Sequence, residues 1–145
     1  MVSFHHTQAG VEGHFDPESH ILRISYSGNV TPENTGGIYA WGWQLSEMVG
    51  VKNICGMITD FRMVVTFAPQ SLGTALRESR RINKAYDLRQ LPVAHIVKNM
   101  YQEQMVTIST ELSGNPDRMK IVYSEDEALA FIESWHLSHS AGMCG

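Results

Sequence analysis

Asp60 and His95 are the side chains best suited to acid–base chemistry in this 145-residue sequence. Asp60 follows the apolar run NICGMIT, and His95 lies inside the apolar run PVAHIV. General acid–base catalysis needs two such groups within hydrogen-bond reach of one substrate. No glycine-rich phosphate loop, nucleophile elbow or paired-carboxylate motif accompanies them. We therefore favour structural roles, with Asp60 bonded to backbone at a strand end and His95 satisfied among apolar neighbours, over a hydrolase-type enzyme.

Tyr39 and Trp43 are candidates for contact with a ligand or a partner. They lie four residues apart in the segment GGIYAWGW, on a different helical face from the predicted core stripe. That stripe consists of Ile38, Trp41, Leu45 and Met48. When a helix has aromatic side chains on two faces, the second face must also be shielded from water by a neighbouring element, a partner or a ligand. The helix also contains three glycines, kept for close packing or for an opening: Gly36, Gly37 and Gly42.

A basic face lies on the next predicted helix, where it could receive an acidic partner or an anionic ligand. It is formed by Arg77, Arg80, Arg81 and Lys84 and is interrupted by Glu78. Most such stripes are solvated helix faces, so this is the simpler interpretation.

Residues of metal-ligand type occur near both ends of the sequence. The tail contains His136, His139 and Cys144, and the first residues contain His5 and His6. Neither group has the closed spacing of a structural zinc site, so we predict no metal and no cofactor.

The two cysteines, Cys55 and Cys144, lack paired spacing. We expect two free thiols in a reducing compartment. The first ten residues contain no basic segment followed by an apolar one, and no stretch approaches the roughly 20 apolar residues of a membrane helix. These features predict a cytoplasmic protein without a membrane span. A net charge of -4 argues against a nucleic-acid partner.

The elements that must position these residues alternate between strand and helix. A hairpin is predicted around Asp16–Ser19, and Thr31-Pro32-Glu33 starts a helix that runs to about Gly50. NICGMIT is a strand that ends at Asp60, and Pro69 opens the basic helix. The remaining elements are the strand PVAHIV, a helix over about 101–112, the strand MKIVY and a helix capped by Ser124.

This order predicts one α/β domain over residues 1–145. We expect a single mixed sheet with an antiparallel N-terminal hairpin, parallel later strands and about four helices packed against it. The core should span about residues 11–135. Residues 1–10 and 136–145 should form short flexible ends.

The sequence resembles the SpoIIAA-like, or STAS-like, family, which is akin to CRAL-TRIO lipid-carrier domains. The resemblance rests on ICGMITDF, SLGTALRESRR, PVAHIV and RMKIVYSEDEALAFIESW, and it covers about Gly13 to Trp135. Antagonists of this family carry an Asp-Ser-Ser-Gly type loop with a phosphorylated serine. Here the matching segment is Ala68-Pro69-Gln70-Ser71, so the resemblance leaves Ser71 as the phosphorylation candidate.

Three functions follow from these observations. The first is a non-catalytic regulatory domain that binds an unknown protein partner and forms a homodimer. The second is a binder or carrier of a small apolar or lipid-like ligand, held between the glycine-rich helix and the sheet. The third is an enzyme that uses Asp60 and His95.

Overall fold

A mixed six-stranded sheet forms the centre of the fold. The computed structural model describes residues 3–112, 116–139 and 144. The strands are β1 (His5–Gln8), β2 (Val11–Phe15), β3 (Ile21–Val30), β4 (Gly56–Phe67), β5 (Val93–Ile96) and β6 (Met119–Val122). The α-helices are α1 (Pro32–Val49), α2 (Pro69–Ala85), α3 (Met100–Glu111) and α4 (Glu125–His139). Strand order in the sheet follows the order in the chain. β1, β2 and β3 are antiparallel, whereas β3 to β6 are parallel, which confirms the predicted fold class.

Different helices pack on the two faces of the sheet. Helices α1 and α2 pack on one face over a large cluster that includes Leu22, Ile24 and Trp41. Helix α4 packs on the other face, where Ala128 and Ile132 meet strands β4 and β5. Since side chains alternate along a strand, each parallel strand contributes to both clusters.

Helix α1 begins as its sequence predicts. The Thr31 hydroxyl accepts a hydrogen bond from the backbone N–H of Asn34, and the side-chain carbonyl of Asn34 accepts one from the backbone N–H of Thr31. Three of the four predicted core residues of this helix are buried, whereas Met48 is 42% exposed. The prediction for Met48 is wrong because Val49, four residues after Leu45, packs inward in the last turn.

Strand β4 is longer than predicted. The prediction ended the strand at Asp60, but it runs on to Phe67 and only Ala68 separates it from α2. Pairing with β5 stops at Asp60, whereas pairing with β3 continues across two register shifts. The segment FRMVVTF is rich in aromatic and β-branched residues, which favour continued strand structure.

Described residues near both ends of the chain form regular structure that the sequence pattern does not predict. Residues 5–8 form β1, which pairs with β2, and the indole of Trp41 donates a hydrogen bond to the carbonyl of Ser3. Helix α4 continues to His139. Among the described residues, no helix combines the length and apolar character that crossing a membrane would require.

A disulfide joins Cys55 to Cys144, with 5.3 Å between their Cα atoms. The prediction of two free thiols is therefore wrong. The fold brings the two cysteines together although 89 positions separate them, a distance at which spacing gives no pairing signal. Cytoplasmic localisation, which rested partly on free thiols, stays a prediction.

Candidate functional site

A pocket of about 210 Å³ lies between the sheet and helices α1, α2 and α3. We call it the core pocket. Its apolar wall comes from the three helices and from strands β3 and β4, and includes Leu22, Ile24, Tyr26, Ile38, Met57, Phe61, Phe67, Leu72, Ala75, Ile82, Met105 and Val106. Helix α2 covers it with an amphipathic face on which Ser71 and Thr74 are the fully buried residues. The inward side of α2 faces the pocket through residues that include Leu72, Ala75 and Ile82.

His95 brings an imidazole into the pocket from β5. Its Nδ1 atom is buried and has no hydrogen-bond partner among the described residues. Burial, and then the nearby charge of Arg118, lower the pKa of His95 to about 4. The imidazole is therefore neutral at neutral pH. The expectation of a satisfied histidine is wrong for this nitrogen atom, because none of the described side chains near it is placed to form a hydrogen bond with it.

Arg118 brings a guanidinium group to the same pocket. It is the last residue of a single-turn helix, Pro116–Arg118, directly before β6, and only 6% of the residue is exposed. One Nη atom donates a hydrogen bond to the carbonyl of Leu91 at 3.1 Å, but Nε is buried without a partner in the described part of the chain. Burial lowers the pKa of Arg118, and Tyr39 opposes this shift. An arginine nevertheless keeps its charge inside a protein.

No carboxylate side chain balances the charge of Arg118. All fifteen aspartates and glutamates of the sequence lie within the described residues. The ion pairs found there use other cations, namely Arg23, Arg62, Arg77, Arg81 and Arg89. A buried charge lowers the stability of a protein unless an opposite charge pairs with it, and no carboxylate pairs with this guanidinium.

Tyr39 and Trp43 are covered by α2 of the same chain. The Tyr39 and Ser79 hydroxyls are 2.9 Å apart and link α1 to α2 at the wall of the pocket. Trp43 lies outside that wall, where its ring contacts Tyr86 and the guanidinium of Arg81. Tyr39 thus sits where a ligand could be held, and a role for Trp43 in an interface stays a prediction.

The structure separates Asp60 from His95. Asp60 pairs in register with Ile96, so its side chain lies on the face opposite to that of His95. Its carboxylate accepts hydrogen bonds from the backbone and guanidinium of Arg62. Burial raises the pKa of Asp60, but the bonds from Arg62 outweigh burial and leave that pKa below its usual value. An acid–base pair made of Asp60 and His95 is not formed.

Ser71 lies in the first turn of α2 and is 4% exposed. Its hydroxyl donates a hydrogen bond to the carbonyl of Val30 at 2.9 Å. Phosphorylation would require this hydroxyl to leave its bond and become exposed.

The basic face of α2 points away from the core pocket. Glu78 forms ion pairs with Arg77 and Arg81, at 3.8 and 3.2 Å. Arg80 and Lys84 form no ion pair within the described ranges. Together with Gly73 and Leu76, the four basic residues line a groove on the outer side of the helix.

The histidines considered as metal ligands have other contacts. His136 Nε2 lies 2.5 Å from the carbonyl oxygen of Cys55, and the ring of His139 stacks on Trp135. His5 stacks on His14. In residues 3–112, 116–139 and 144, no three potential ligands of the His, Cys, Asp or Glu type are placed to hold a metal ion.

Sequence reasoning did not identify Arg118 or most of the pocket wall. The available signal was the position of Arg118 directly before a predicted parallel strand. An arginine in such a position usually stays in solvent. Its burial depends on how α1, α2 and the β5–β6 region come together.

Comparison with solved structures identifies the fold. No protein-family model and no curated protein matches the sequence. One similar structure is an uncharacterized protein from the DUF3478 family with a SpoIIAA-like fold, from Shewanella loihica PV-4. It is 16% identical with a TM-score of 0.58, and the alignment covers 91% of this chain and 98% of that one. Another is an anti-sigma factor antagonist from Mycobacterium paratuberculosis, which is 11% identical with a TM-score of 0.55 over 88% of this chain and 97% of that one. The chain therefore has a SpoIIAA-like fold.

Proposed function

We propose that this protein is a non-enzymatic binding domain that holds a small apolar molecule in the core pocket. The supporting observation is the pocket itself, about 210 Å³ of space inside the main apolar cluster. Protein interiors are close-packed, and voids larger than a water molecule are few. An apolar molecule that binds in this space transfers its surface from water to the apolar wall, which is the main favourable term in such binding.

The shape of helix α1 supports this proposal. Gly42 lines the pocket, and a Cβ atom added to it would meet no atom within 4 Å. Glycine weakens a helix by about 1 kcal/mol relative to alanine, so its presence here keeps space open at a cost in stability. Gly36 has an equally free Cβ position but does not line the pocket. The two glycines form a matched pair for an experiment.

The test compares Gly42→Leu with Gly36→Leu by native mass spectrometry and by titration with an apolar probe, 1-octanol. We expect the wild type and Gly36→Leu to bind the probe and Gly42→Leu to bind it at least ten-fold more weakly. Circular dichroism should show all three proteins folded. Equal binding by all three, or no binding by the folded wild type, would refute the proposal.

A second candidate function is regulation through a protein partner. It is favoured by the uncompensated charges of Arg80 and Lys84 beside the groove on α2, a surface suited to an acidic segment. The fold it shares with an anti-sigma factor antagonist is consistent with such a role.

The double variant Arg80→Glu with Lys84→Glu should lose a partner that the wild type retains at low salt. Octanol binding should be unchanged in that variant, and retention of the partner would exclude this surface. The homodimer stays a prediction that sedimentation analysis can test.

A further inference from the structure

Arg118 gives the core pocket a feature that an apolar ligand alone does not explain. The residue is 6% exposed and lines the pocket together with leucine, isoleucine and aromatic side chains. Among the described residues, it has one bond to a backbone carbonyl, an Nε–H group without a partner and no carboxylate partner. A buried cation with spare donors is stabilised when an anion binds beside it.

The other polar groups of the pocket are compatible with an anion. His95 faces the same space with an unpaired nitrogen atom, and a neutral imidazole can donate one hydrogen bond there. The Tyr39 and Ser79 hydroxyls supply further hydrogen-bonding capacity at the wall. No acidic residue lines the pocket, so nothing in its wall repels a negative charge.

We propose that the ligand of the core pocket is a small apolar monocarboxylic acid, with its carboxylate on Arg118 and its hydrocarbon part against the helices. This inference rests on the proposed function and specifies the class of ligand. The volume sets the size, because an apolar cavity of about 150 Å³ already accepts benzene. At about 210 Å³, the pocket suits an acid of roughly eight carbon atoms.

The experiment titrates the whole protein with three probes of matched chemistry. Octanoate has both the apolar chain and the charge, 1-octanol has only the chain, and acetate has only the charge. Calorimetry at neutral pH should show octanoate binding about ten- to a hundred-fold more tightly than octanol, because hydrogen bonds to charged groups are the stronger ones. Acetate should bind far more weakly than octanoate.

Two further measurements locate the carboxylate. In wild-type protein labelled with ¹⁵N-arginine, octanoate should shift the Nε–Hε resonance of Arg118 and octanol should shift it less. In Arg118→Met the preference for octanoate should disappear while octanol still binds. Arg89→Met is the control, since Arg89 is exposed and paired with Asp87, and it should keep the wild-type preference.

The outcomes separate this inference from the proposed function. If octanol binds as tightly as octanoate and the Arg118 resonance does not respond, the carboxylate assignment is wrong while a neutral apolar ligand stands. If neither probe binds to folded wild-type protein, the binding function fails as well. Because the comparison of probes and the resonance shift use wild-type protein, a folding defect in Arg118→Met would not prevent a decision.

Discussion

At the scale of single residues, His95 is the group whose protonation affects folding most clearly. Its pKa is about 4 in the folded protein and 6.5 in its ordinary state, because burial and the charge of Arg118 oppose protonation. Between these values the unfolded chain binds more protons than the folded one. The stability that this difference in proton binding contributes is fully present above about pH 6.5 and is lost as the pH falls toward 4.

We predict that His95→Leu flattens this pH dependence. The wild type should lose about 2 kcal/mol more of its free energy of unfolding than the variant between pH 7 and pH 5. Urea denaturation at both pH values measures the difference. His139→Leu is the matched control, because His139 is exposed at the end of α4, and it should keep the wild-type slope. Parallel slopes for wild type and His95→Leu would show that His95 is solvated.

At the scale of elements, helix α3 holds the irregular part of β4 in place. Past Asp60 strand β4 no longer pairs with β5, and in this part of the strand the Gln102 amide donates hydrogen bonds to the carbonyls of Arg62 and Val64, at 3.3 and 3.0 Å. Its carbonyl oxygen accepts a hydrogen bond from the backbone of Lys98. Gln102 is fully buried, so these bonds have no water to replace them.

We predict that Gln102→Met destabilises the protein by about 2 to 4 kcal/mol, because it leaves buried backbone groups unpaired without changing volume greatly. Gln104→Met makes the same change at an exposed position of the same helix and should cost under about 0.5 kcal/mol. Thermal or urea unfolding of both variants measures the contrast. Similar losses for both would mean that Gln102 does not support β4.

The same elements show how far the sequence leads. Some features depend only on residues that are close in sequence, so they were predictable. These are the helix caps at Thr31 and Ser124 and the alternating pattern of β3. The extension of β4 past Asp60 depends on its pairing with β3, and β1 depends on a shared edge with β2. Likewise, the sequence suggested a ligand beside the glycine-rich helix, but the position of Arg118 in the pocket required the packed structure.

At the scale of the whole molecule, the Cys55–Cys144 disulfide ties the C-terminal region to the start of β4. We predict that Cys55→Ser lowers the free energy of unfolding by about 4 kcal/mol, since the bond closes a loop across 89 positions of the unfolded chain. Denaturation with and without reductant measures this, and a thiol assay on unfolded protein confirms the bond.

Cys144→Ser and the double variant are the controls for this prediction. Each removes the same bond, so both should match Cys55→Ser within about 0.5 kcal/mol. A wild type whose midpoint does not change with reductant, or which gives two free thiols, would contradict the prediction.

The strand order of the sheet has a consequence for biosynthesis. Because the spatial order equals the chain order, each strand leaves the ribosome after the strand on which it docks. The sheet can therefore grow in one direction from the β1–β2–β3 meander, with each crossover helix covering the newly added part. No strand has to wait for a distant partner or insert between two strands already paired. The closing step, the link from Cys144 back to Cys55, then comes when the sheet beneath it is complete.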